Sequence, residues 1–374
     1  DWLRQNPAGF GVNWIVSMEV AIRGCNLALA ASVFSRVMRT ELLQKVVVSL
    51  QEHRTFIHRF PEFSDVSGNH YLANLMGVAV LDSCLSGSSS AIAMKSRDIF
   101  YKEADVQFES DGCQIERAPI YHRLCLDMVA IVFMFELRGE QVSGYGLEIL
   151  QRGVTFANAV SSSKGLLPVF GDADSGHILW FKEVSRDFRG LSEIVRCANI
   201  GADFSSIIDS NTIWLMLISG RFSLSVDTFK RKHNNQERVY NLSGYCATHD
   251  GSVDVVMRVG SQGLKGRASH DHDDALSIWV FLKGRDFIVE RGCYSYTLCP
   301  VERSKDIGSL HHNLVQPVGE NRSSSNKGSI VQTAVGAQTA SNWDVSDEES
   351  SVSIAALMKK VTNGDSQFDF YQRN

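Results

Sequence analysis

The chain has no apolar run long enough to cross a bilayer as a helix. Its longest, Met128 to Phe135, is eight residues and is closely flanked by charge, whereas a span needs about 20. An excess of basic residues is also missing. With 37 Lys and Arg against 42 Asp and Glu, the net charge is -5, which argues against a nucleic-acid binder. The eight cysteines include no Cys-x-x-Cys pair and no zinc-finger spacing. Free buried thiols are therefore expected rather than a disulfide framework, and they leave the compartment open. There is no initiator Met and no signal peptide at Asp1, where the residues already lead into a helix. A piece of a longer chain is the expectation.

What is present is ordinary globular material: 374 residues, 44% hydrophobic and 21% charged. That length makes two domains the default. Helical periodicity dominates up to about residue 227. Helices are expected over Asn13 to Val37 behind an Asn13 cap, Glu41 to Phe60, Tyr71 to Leu85, Pro119 to Leu137, Tyr145 to Ala159, Phe181 to Cys197 and Asp203 to Ile218. The rhythm suggests stacked helical hairpins, as a solenoid or a closed toroid. Thr228 to Gln236 reads as a polar, basic linker. From residue 238 onward strands take over, with Val239 to Thr248 and Ser252 to Val259 flanking a turn at His249-Asp250-Gly251. Asn321 to Gly328 and the acidic Asp344 to Glu349 read as loops, and Gln367 to Tyr371 as a last strand. The fold class is α+β, with a helical domain over 1–227 and a β domain over 238–374.

The segment Ser269-His270-Asp271-His272-Asp273-Asp274-Ala275-Leu276-Ser277 is the richest in chemistry. On a strand, His270, His272 and Asp274 would share a face, and Ile278 to Leu282 would carry that strand into a core. Charge at the start of a buried strand is costly unless a metal, a substrate or mutual pairing compensates it. A wet strand end is the plain alternative. Lys283 to Asp286 makes a hairpin turn, and Phe287 to Glu290 would return beside the first strand. His272, Glu290 and His312 would then offer two imidazoles and a carboxylate, a set that suits zinc. Such an ion would be structural, tying three separated segments together.

Several segments, in order, resemble the heparinase II/III-like polysaccharide lyases. They are Asn13 to Arg23, Gly68-Asn69-His70-Tyr71-Leu72-Ala73, Asp111 to Arg123 with its Glu116 and Tyr121-His122-Arg123, the His270-x-His272-x-Asp274-Ala-Leu-Ser stretch, Gly292-x-Tyr294-x-Tyr296-Thr297, and His312-Asn313. The resemblance covers roughly Asn13 to Asn321. It implies an α/α toroid, here missing its first helices, followed by an antiparallel β-sandwich. It also implies β-elimination on a uronic-acid-containing, anionic polysaccharide, and a periplasmic or cell-envelope location. Two departures stand out. Glu290 occupies a position where relatives carry Asp, and Ile307 to His311 replaces an Arg-Ser/Thr run.

Elimination requires removal of the weakly acidic C5 proton. An amide or imidazolium on the neighbouring carboxylate stabilises the charge that develops. The resemblance gives that task to Asn69, with His70 beside it. Tyr121 would be the acid and base, its phenol partly ionised by cationic neighbours. His270 would approach from the β domain, while Arg123, Glu116 and His122 would bind substrate. The plainer readings are a packing tyrosine at Tyr121, a helix cap at Asn69 and a helix-face filler at His122. Gly171 to His177 reads as an acidic loop lining the cleft. Two other functions stay open: a non-catalytic or biosynthesis-linked envelope glycan binder, and a zinc-dependent glycan hydrolase.

Overall fold

The protein is seen in a computed structural model that describes residues 1–139, 142–174, 176–178, 186–199, 238–240, 243–249, 253–314, 339–348 and 351–359. The first half is helical. A short α1 (Trp2–Gln5) leads into α2 (Ser17–Phe34), α3 (Thr40–Arg59), α4 (Asn69–Ser86), α5 (Ala91–Gln107), α6 (Pro119–Glu136), α7 (Tyr145–Val160) and α8 (Arg189–Asn199). Sequential helices pack as hairpins, and α4 also touches α2 and α6. This is the helical stack of an α/α toroid.

The apolar run at 128–135 is explained by its position. Every residue of α6 is buried, and each of Met128 to Phe135 is at most 1% exposed. Fully burying such side chains is worth about 1.5–3 kcal/mol apiece, so α6 is the hydrophobic axis of the stack. Pro119 starts it at a position where no intrahelical N–H is needed. Among the described residues no helix is long and apolar enough to cross a membrane.

Two helical expectations are corrected. The first helix does not begin behind an Asn13 cap. Val12–Trp14 forms a separate 3-10 turn, Val16 is extended, and α2 starts at Ser17; the Asn13 carbonyl accepts a hydrogen bond from Arg23 at 2.7 Å. In addition, α5 was not anticipated. Its charged residues obscure a narrow buried stripe at Ala93, Phe100, Tyr101 and Ala104, and Ser90 caps it by accepting from the Ala93 N–H. The helix expected over Phe181 to Cys197 is seen from Arg189; residues 181–185 and the helix at 203–218 lie outside the described residues, as do the 228–236 linker, the 321–328 loop and the 367–371 strand.

The second half is β. Strands β1 (Arg238–Tyr240), β2 (Tyr245–His249), β3 (Val253–Arg258), β4 (Ile278–Leu282) and β5 (Arg285–Ile288) form one antiparallel sheet in sequence order. A hairpin of β6 (Thr339–Glu348) and β7 (Ser351–Lys359) stands as a separate two-stranded sheet. The acidic 344–348 segment is therefore strand rather than loop. The strand expected over Val239 to Thr248 is broken before Gly244, which has φ +69°; a Cβ there would lie 1.9 Å from the Gly260 Cα. Lys283 and Gly284, both at positive φ, form the two-residue turn between β4 and β5.

The principal correction concerns residues 270–277. They are not a strand; β4 begins only at Ile278. Asp271 is fully buried and accepts from Arg258 Nη2 and from the Gly263 N–H, at 2.8 and 2.7 Å. That pairing pulls the segment into a loop packed against the helical half, so strand alternation is not what aligns its histidines. Residues 260–268 and 111–118 complete the junction. Arg117 Nη1 donates to Ser261, the Tyr245 hydroxyl donates to the Arg117 carbonyl, and the Leu264 N–H donates to the Ile115 carbonyl. The seven described cysteines are free thiols.

Candidate active site

Tyr121 lies near the start of α6, at the face of the helical half that meets the 270–277 loop. It is 6% exposed, and its ring stacks on His270 with centroids 3.5 Å apart and planes 13° from parallel. The Tyr121 hydroxyl is 2.6 Å from the Tyr296 hydroxyl and donates to Asp174 Oδ2 at 3.0 Å; Tyr296 reaches the same oxygen at 3.2 Å. Burial raises the Tyr121 phenol well above its ordinary value, and Asp174 adds to the effect. The same causes, with Asp172 ahead of Tyr121 and Asp174, raise Tyr296. The expectation of a phenol ionised by cationic neighbours is thus overturned, because the nearest charges are carboxylates.

Asn69 is the first residue of α4 and is buried. Its backbone N–H donates to Glu116 Oε1 at 2.6 Å, and its Nδ2 lies 2.9 and 3.0 Å from the two Glu116 oxygens. An ionised carboxylate only accepts, so Glu116 fixes which way the Asn69 amide faces. Asn69 Oδ1 is left buried without a hydrogen-bond partner. Glu116 Oε2 is also 3.6 Å from His270 Nε2. Asn69, Glu116, His270 and Tyr121 are therefore one contiguous cluster drawn from both halves.

Behind His270 lies Asp172, fully buried in the loop that follows α7. It accepts from His270 Nδ1 at 2.9 Å, from His272 Nε2 at 2.8 Å, and from both terminal nitrogens of Arg303. Burial alone would raise this carboxyl, but the bonds from His270, His272 and Arg303 outweigh it and hold it below the ordinary range. The loop reaches so deep because Gly171 has φ +66° and passes His270 closely: a Cβ there would sit 2.4 Å from the His270 carbonyl oxygen.

Three sequence-derived residues are placed elsewhere. His70 points away from this cluster to Glu62, 2.9 Å distant, with its side chain 49% exposed. His122 is fully buried; the Gln114 N–H donates to its Nδ1 at 3.1 Å and its Nε2 pairs with the Gly153 carbonyl at 3.0 Å. Burial lowers it to about 4. With both nitrogens committed to backbone, His122 is a core residue and not a substrate contact. Arg123, 2% exposed, donates to His177 Nδ1 at 2.7 Å and lies 3.6 Å from Asp127.

Of the three expected metal residues, His312 neighbours each of the other two. The His272 and His312 rings have centroids 5.5 Å apart, and His312 Nδ1 is hydrogen-bonded to Glu290 Oε2. Burial pushes His312 down, but Glu290 more than offsets this and the imidazole ends above its ordinary value. His272 Nδ1 is buried and has no partner. Among the described residues no three His, Cys, Asp or Glu side chains are arranged to hold a metal. In donor chemistry the trio fits zinc, and the orphaned Nδ1 is the atom that a metal would satisfy. Nearby, Asp274 is pushed up to about 7 by burial and by Asp271.

Sequence reasoning gave no individual role to Tyr296 or Arg303, and read Asp172 and Asp174 only as part of a cleft-lining loop. The first stood in the Gly292-x-Tyr294-x-Tyr296 turn, and the acids stood in the 171–177 loop. Arg303 had no signal: it stands in a polar stretch that folds as the short helix Pro300–Ile307 (α9), where it is fully buried. A cavity of about 770 Å³ lined by Trp14, Ile15, Phe56 and Phe60 contains none of these residues, and its lining offers no comparable proton-transfer pair.

A helical stack and an antiparallel sheet, meeting at a buried Tyr–His–Asn–Glu cluster, define a protein of α+β class. The chain belongs to the heparinase II/III-like family. Residues 1–189 match the model for the heparinase II/III N-terminus, and residues 233–356 match the heparinase II/III-like C-terminal model. No curated protein sequence matches. Among solved structures, heparinase III is similar with 16% identity and a TM-score of 0.63, covering 96% of this chain and 53% of that one. A mutant of a heparan sulfate lyase from Pedobacter heparinus is similar at 16% identity and TM-score 0.56, with 96% and 54% coverage. The chain thus spans just over half the length of these structures. At such identity they establish the fold.

Proposed function

We propose that the protein acts as a polysaccharide lyase, cleaving a uronic-acid-containing chain by β-elimination at the Tyr121 cluster. The carrying observation is the hydroxyl pair of Tyr121 and Tyr296, 2.6 Å apart and backed by the stacked His270 ring. Tyr121 is protonated at rest, so in this reading it delivers a proton to the departing glycosidic oxygen. The C5 proton goes to a neighbouring base, His270 Nε2, whose Nδ1 is already bonded to Asp172. In this reading the Asn69 amide shares its donors between Glu116 and the uronate carboxylate, and His270 supports it, so that charge developing on the carboxylate meets donors already in place. Each step moves one proton, and the C4–O4 bond breaks as the C4–C5 double bond forms.

Zinc belongs to this reading as a structural ion held by His272, Glu290 and His312. Bound there, it would supply charge and cross-linking to the β loops. Elemental analysis is expected to find close to one zinc per chain, and added zinc should raise the melting temperature of stripped protein. Unchanged melting together with no bound metal would contradict it. An envelope location and an anionic polysaccharide partner accompany the lyase reading. A panel of uronate polymers, followed by ultraviolet absorbance, tests it. Only elimination leaves a C4–C5 double bond; cleavage without that absorbance would favour a hydrolase, and binding without cleavage a glycan-binding protein.

A further inference from the structure

We infer that Asp172 is a positioning residue that fixes the ring tautomers of His270 and His272 together, and so determines which nitrogen each histidine presents. Its consequence for rate rests on the lyase reading; the hydrogen bonds stand independently of it.

The inference begins with donors and acceptors. Asp172 Oδ2 lies 2.9 Å from His270 Nδ1, and Oδ1 lies 2.8 Å from His272 Nε2. Arg303 donates Nη1 to Oδ1 and Nη2 to Oδ2, the latter at 2.9 Å. The two oxygens of an ionised carboxylate have roughly four acceptor positions between them and no donor. Four donors use that capacity, and the bidentate guanidinium keeps the group charged. Each histidine must therefore carry its proton on the nitrogen facing Asp172. A neutral His270 is then the Nδ1–H form, with Nε2 bare on the side of Glu116, 3.6 Å away. A neutral His272 is the opposite form, with Nε2–H bonded and Nδ1 bare.

That bare Nδ1 is the buried atom without a partner, beside the His312 ring. One carboxylate thus makes the two rings present opposite nitrogens: His270 offers Nε2 to the reacting cluster, and His272 keeps Nδ1 bare. Backbone geometry holds the device rigid. The Asp172 N–H donates to the His270 carbonyl at 2.8 Å, and Gly171 allows the close approach. The pairing also joins the two halves, since Asp172 follows α7 while both histidines and Arg303 come from the β half.

The test is ¹⁵N NMR of histidine-labelled protein with zinc supplied, the two rings being assigned from His270→Gln and His272→Gln spectra. Wild type should show His270 protonated at Nδ1 and bare at Nε2. It should show His272 protonated at Nε2, with Nδ1 bare or metal-bound. Asp172→Asn keeps the shape but replaces one acceptor with a donor, so at least one ring should lose or exchange its tautomer. In that variant the elimination kcat should fall on the order of 10²-fold, with KM within about threefold, because no substrate contact is removed. Opposite or averaged tautomers in wild type would overturn the inference, as would two unchanged rings in folded Asp172→Asn. If Asp172→Asn does not fold, the wild-type spectrum alone decides. If wild type cleaves no uronate polymer, the lyase reading fails while the spectrum still decides the role of Asp172.

Discussion

Tyr121 and His122 are adjacent in sequence and have opposite fates in the fold. Tyr121 faces the junction, while His122 turns into the core beside Phe108 and Phe156. Burial lowers His122 to about 4, and His53, its ring tilted at 51° against Trp14, is likewise lowered to about 4. The sign follows from linkage. Above pH 6.5 each ring is neutral in both the folded and the unfolded chain. Between 6.5 and 4 the unfolded chain binds protons that the folded one refuses, so stability falls as pH falls through that window. For fully buried His122 the loss reaches at most about 3 kcal/mol. Urea unfolding from pH 7.5 to 4.5 should show this decline, and His122→Gln should start lower at neutral pH but decline less. An equal slope in the variant would show that His122 does not titrate as a buried neutral ring.

At the scale of elements, the 171–177 loop organises the site. Gly171→Ala would force a side chain into positive φ and into the His270 carbonyl. It is expected to cost about 2–4 kcal/mol and to disturb His270, which denaturant unfolding and activity would both register. Near-normal stability would mean that the loop yields easily. This loop also shows what was legible in the sequence. Its Gly-Asp-x-Asp pattern marked it as cleft-lining, but the depth of Asp172 depends on a partner 98 residues away. The His270-x-His272 spacing does mark two rings that lie together, but not through strand alternation. Alternation on a strand suggested a shared face, whereas a shared carboxylate acceptor binds two rings of a loop. The apolar periodicity of α2, α3, α4, α6 and α7 was readable because one face or all faces are buried. The stripe of α5 was too narrow to stand out, and Arg303 was hidden because its burial is set wholly by tertiary contacts.

At the scale of the whole molecule, the two halves matter because neither contains the cluster alone. Tyr121, Asn69, Glu116, Asp172 and Asp174 come from the helical half, and His270 and Tyr296 from the β half. The order of helices before strands was visible in composition and period, and the family resemblance supplied the toroid. The seam itself was not visible, since its bonds connect residues 111–118 and 171–174 with 260–272. The central claim is that this seam is an elimination centre with Tyr121 as its proton-transferring group. The most direct measurement is the rate of double-bond formation on a cleaved uronate polymer by Tyr121→Phe against wild type. Phenylalanine keeps the stack on His270 and removes only the hydroxyl. The account predicts a loss of about 10²–10⁴-fold with substrate binding nearly intact; a variant keeping more than about a tenth of the wild-type rate would reduce Tyr121 to a packing residue.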